Sequence, residues 1–234
     1  MSGAPGFDGT PVTSRRPRLN VTHDSWELIW SHVHRVLVVN LGITVTNLPL
    51  LAALQLSGQP WHHPVLFGLL LLVLPGPSIA AAFAYLDAAA VDERAPVRLF
   101  ARAYRRLYGR ALLVSAPFVL AVIAAVTDVV TLRTAAVGPV LVPLAAVVGL
   151  VAAASWPVAL AHSAAGLAAG RRLFLLASYA VVRHGLLAVT NLVLMVVTLL
   201  LVNQAPLLGL AVLPGCVLFV LWRNCEAMIA WYRP

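Results

Sequence analysis

Seven histidines, two cysteines and eight carboxylates are the side chains of this 234-residue chain that could bind a metal or move a proton. Metal sites built on helices favour ligands three or four residues apart with a carboxylate close by, so that successive turns point at one ion. The histidines do not follow that spacing. His62 and His63 are adjacent beside Trp61, His32 and His34 flank Val33, and His162 and His184 stand alone. Cys216 and Cys225 lie nine positions apart in what reads as one helix and its exit. At 1.5 Å of rise per residue they are separated by roughly 13 Å, too far for a disulfide. No nucleophile motif, paired catalytic carboxylates, phosphate loop or nucleotide fingerprint appears. The sequence therefore predicts no metal, no cofactor and no enzymatic activity.

The remaining polar chemistry is uncharged and sits inside long apolar runs: Asn40, Thr44, Thr46 and Asn47, then Ser115, then Thr190 and Asn191. An ionised group at that depth in a bilayer costs at least ~2.5–3.5 kcal/mol. The acids avoid it: Asp87 and Glu226 fall at one set of span ends, Asp128 near the other rim, and Asp92 and Glu93 in a charged connection. With no buried acid, a proton- or sodium-coupled carrier is disfavoured.

The composition requires a membrane. The chain is 61% hydrophobic and 10% charged, too few charges to clothe a soluble domain of this size. Its net charge of +8 would suggest nucleic acid in a soluble protein, but here the basic residues alternate with apolar runs, so nucleic acid is not an expected partner. About 20 apolar residues cross the hydrocarbon as a helix, with 17 near the lower limit. By that measure there are six spans, 36–56, 65–86, 111–132, 137–161, 186–202 and 206–222. Backbone groups in lipid must bond within the segment, which makes each span a helix, and no alternating strand pattern of a barrel is present.

Very short connections at 57–64, 133–136 and 203–205 pair the spans into three helical hairpins. The longer connections carry the charge, and fifteen of the sixteen arginines fall on one side, with only Arg133 opposite. The positive-inside rule then predicts both termini in the cytoplasm. Residues 1–24, rich in Gly, Pro, Ser and Thr, read as a disordered cytoplasmic tail, and 25–234 as a single six-span domain. Arg15-Arg16 lacks the following apolar region and cleavage site of an export signal.

A period of about 75 residues aligns "HRVLVVN" (34–40) with "GRALLVS" (109–115) and "HGLLAVT" (184–190). The expected units are 25–86, 98–161 and 172–222, each an amphipathic cytoplasmic lead-in helix, an outward span, a turn and an inward span. On that register Asn40, Ser115 and Thr190 are equivalent and form a polar ring, either a small-ligand site on the pseudo-axis or a set of interhelical hydrogen bonds. The inward spans contain Pro75-Gly76-Pro77, Trp156-Pro157 and Pro214-Gly215. These are candidate kinks, for packing or for gating.

One lead-in stands out. Arg94, Arg98, Arg102, Arg106 and Arg110 recur every four residues, joined by Arg105, while Phe100, Tyr104, Leu107 and Ala111 occupy much of the opposite face. The pattern predicts a helix lying in the interface, its guanidinium groups toward anionic headgroups or a cytoplasmic partner. An orientation signal with a lipid anchor, a docking surface and an anionic-ligand site all fit it.

The run "LPGPSIAAAFAYLDAAAVDERAPVRLFARAYRRLYGRALLVS", residues 74–115, resembles the YesL-like family of bacterial membrane proteins. The features that match are Pro75 entering a small-residue span (Ala80, Ala81, Ala82, Phe83), the acidic turn at Asp92-Glu93, and the aromatic–basic helix of Phe100, Tyr104, Arg105 and Arg106. Asn40 in "VLVVNLG" also sits where that family has an Asn, although Gly42 and Ile43 replace its usual Trp and Leu. The match is best over 36–115 and faint beyond 130. It implies a multi-pass protein of the bacterial cytoplasmic membrane that assists carbohydrate uptake, with ABC permease subunits as partners. The residues themselves also admit an autonomous small-molecule facilitator or a structural scaffold.

Overall fold

The computed structural model describes residues 21–57, 64–89, 96–166, 170–204 and 206–230. Every regular element among them is a helix: α1 (Val21–Thr46), α2 (Leu48–Ser57), α3 (Pro64–Val73), α4 (Pro75–Ala89), α5 (Pro96–Leu132), α6 (Gly138–Ala164), α7 (Arg171–Arg183), α8 (Gly185–Gln204) and α9 (Pro206–Ile229). Three stretches, Val65–Ala88, Pro96–Leu132 and Gly138–Ala164, are long and apolar enough to cross a bilayer. The α7–α8 pair makes a fourth if it is counted as one bent span. Large apolar side chains such as Leu113, Val140, Leu186 and Leu199 are exposed on these helices. A soluble monomer rarely leaves so much contiguous apolar surface in water, and the arrangement fits a membrane-embedded bundle.

The breaks between helices follow from the backbone. No glycine or proline stands between Asn20 and Gly42, and α1 runs without interruption from Val21, inside the stretch 1–24 read as tail. Its end at Asn47 comes two residues before Pro49, which has no N–H to continue the ladder. The α3–α4 break at Leu74 puts Pro75 at the first position of α4, where a missing N–H does no harm. The two breaks are tied together, because Asn47 Nδ2 donates to Ser78 Oγ at 3.0 Å and Ser78 Oγ donates to the Pro75 carbonyl at 2.8 Å.

The lead-in segments differ. Only Gly109 interrupts the run of helix formers from Val97 to Ala116, and the arginine-rich lead-in fuses with its span into the single 37-residue helix α5. At 1.5 Å per residue it is about 55 Å long, well beyond a hydrocarbon layer of about 30 Å. Separation occurs instead at His184-Gly185, where α7 and α8 meet at 100°.

The C-terminal ends of α4, α6 and α9 surround one cavity, so these three helices run in the same direction. Each also contacts the other two, while α1, α5 and α8 pack around them. The core lies toward this end. Residues Ala152 and Ala154–Ser163 other than the half-buried Trp156 are buried, whereas most of α6 from Pro139 to Leu150 is exposed.

Candidate functional site

The buried polar residues lie where helices approach most closely, and prolines help create those places. Pro214 sits inside α9, which continues through it, and its ring removes one amide from the ladder. The next amide, on Gly215, donates to Asn40 Oδ1 of α1. A Cβ on Gly215 would come within 2.6 Å of the Val36 carbonyl oxygen, so only glycine allows this approach. Gly76 does the same on α4: a Cβ there would fall 2.8 Å from Ser115 Cβ and closer still to its hydroxyl. Trp156 Nε1 of α6 donates to that Ser115 hydroxyl at 3.0 Å.

Asn40 and Ser115 are both buried. Thr190, the third residue expected in the ring, lies on the outside of α8, its hydroxyl turned back to the Leu186 carbonyl at 2.9 Å. Its neighbour Asn191 is the buried one. Asn224 Nδ2 donates to Asn191 Oδ1 at 2.7 Å, and Asn191 Nδ2 approaches Cys225 Sγ at 3.9 Å. Asn40 bonds α9, Ser115 bonds α6, and Asn191 bonds the end of α9.

The kink candidates divide. Pro75 stands at a real break, with Gly76 and Pro77 buried in the first turn of α4. At Pro157 and Pro214 the helices continue, and Gly215 makes the close contact described above. The cavity ringed by the ends of α4, α6 and α9 holds about 20 Å³ and is lined by Phe83, Asp87, Ala161, Trp222 and Glu226 among others. Glu226 pairs with Arg223 at 3.3 Å. His162 is buried nearby in the chain, its Nδ1 3.2 Å from the Val158 carbonyl. No cluster of three metal-ligating side chains occurs among the described residues.

On α5, Arg98, Arg102, Arg105 and Arg106 are exposed and Arg110 is half-buried, while Phe100, Leu107 and Ala111 are buried. Arg94 lies outside the described residues. Phe100 packs against Gly42 of α1 and meets Tyr85 of α4 edge-on, with ring centroids 6.4 Å apart.

Sequence reasoning missed Asn224 and, although it names Asn47, the partner Ser78. Asn47 and Ser78 are polar residues in apolar segments, the signal that found Asn40, whereas Asn224 follows Arg223 just past the last apolar run. Compared with models of known protein families, with curated proteins and with solved structures, the chain shows no significant match.

Proposed function

We propose that this chain is a six-span protein of the bacterial cytoplasmic membrane that acts as an accessory component, through its surface and not through a conduit of its own. The observation that carries this reading is that Asn40, Ser115 and Asn191 are engaged in helix-to-helix hydrogen bonds. Consistent with it, the cavity between α4, α6 and α9 has room for about one water. In this reading the two further spans are α1–α2, broken at Asn47, and α9.

The threefold repeat gains support from the packing. Three same-direction helices touch one another centrally, and outward helices meet the preceding unit's inward helix at Asn40–Gly215 and Ser115–Gly76. Both termini are cytoplasmic, following the arginine count. The resemblance of residues 36–115 to YesL-like proteins makes carbohydrate ABC permease subunits the first partners to seek.

Isolation from native membranes in mild detergent is expected to bring permease subunits with the protein. Liposomes containing this protein alone are expected to show no substrate flux. Flux in such liposomes that falls in Asn40→Leu would replace the accessory role with that of a facilitator.

A further inference from the structure

Beside the contact of Phe100 with Gly42 lies a groove of about 280 Å³, walled by Val38, Leu41 and Val45 of α1 and by Val97, Ala101 and Arg105 of α5. The Phe100 ring fills the space a side chain at position 42 would need, with ring atoms 2.5 Å from where a Cβ would stand, and the gap opens to one side of it. Thr46 also lines the groove, but its hydroxyl donates to the Gly42 carbonyl at 2.7 Å, which leaves the α1 wall apolar in character. Leu41, Val45 and Val97 form exposed lips. An apolar cavity of about 150 Å³ already accepts a benzene molecule, so this groove takes a stretch of hydrocarbon chain. Arg105 is the cation among its lining residues, and Arg98, Arg102 and Arg106 are exposed on the same helix. A guanidinium matches phosphate with two parallel hydrogen bonds.

We infer that this groove binds one anionic phospholipid, with an acyl chain between α1 and α5 and its phosphate on Arg105. The inference rests on the membrane-embedded reading and deepens the role of the arginine face from general attraction to a defined site.

The test uses the full chain in nanodiscs of phosphatidylcholine with a graded fraction of phosphatidylglycerol, counting the lipids that remain bound by native mass spectrometry. Phosphatidylglycerol is expected to be retained in preference. Arg105→Gln is expected to weaken retention about fivefold, the effect of losing one basic contact with an anionic lipid, and the groove-filling Ala101→Phe is expected to weaken it by taking the space of the acyl chain. Arg102→Gln, outside the groove lining, is expected to change it much less. Equal losses from Arg102→Gln and Arg105→Gln, indifference to Ala101→Phe, or equal retention of phosphatidylcholine would each overturn the site. A protein that inserts into nanodiscs yet shows no lipid preference loses the site and keeps its membrane assignment.

Discussion

Gly76 and Ser115 form a pair whose fit can be measured. A methyl on residue 76 has no room beside the Ser115 side chain, and overpacking of this kind costs about 1–3 kcal/mol. Gly76→Ala is expected to lower the thermal midpoint in detergent, and Ser115→Gly in the Gly76→Ala background to recover part of the loss despite giving up the Trp156 bond. A double-mutant cycle reads the coupling directly; purely additive effects would mean the two residues do not constrain one another. Asn40 and Ser115 were legible in the sequence because a polar side chain in an apolar run needs a partner. Asn191 stands out by the same signal, but the repeat register assigns the ring position to Thr190, one residue short. With 3.6 residues per turn, a slip of one rotates the side chain by about 100°, enough to exchange inside for outside.

Among the elements, α7 carries a divided surface. Leu173, Ala177, Ala180 and Val181 are buried against the bundle, while Leu175, Tyr179 and Val182 are exposed, with arginines at both ends. Turned 100° from α8, such a helix seats its exposed apolar stripe at the headgroup boundary. A spin label at Val182→Cys, in a chain with the exposed Cys216 changed to Ser, is expected to be more accessible to lipid-soluble oxygen than to a water-soluble nickel complex. The reverse order would put α7 in water. The repeat register expects a separate amphipathic lead-in helix in each of the three units. What separates them is the backbone at the junction: His184-Gly185 permits a turn, whereas the run from Val97 to Ala116 offers only Gly109 and continues as one helix.

Over the whole molecule, helix positions were readable because lipid leaves few choices for an apolar run of 17 or more residues. Which helices meet was not readable, since hydrocarbon does not distinguish one leucine-rich face from another and small residues decide the approach. The shared direction of α4, α6 and α9 agrees in parity with the hairpins drawn from the connections. Tags at either terminus are expected to be protected in intact cells and reached only after the inner membrane is opened. Labelling of one end from outside would break that parity.

The bond from Gly215 to Asn40 joins residues 175 positions apart. The first helix therefore cannot complete its contact with the last until residue 215 has been made, so this closure is among the late steps of assembly.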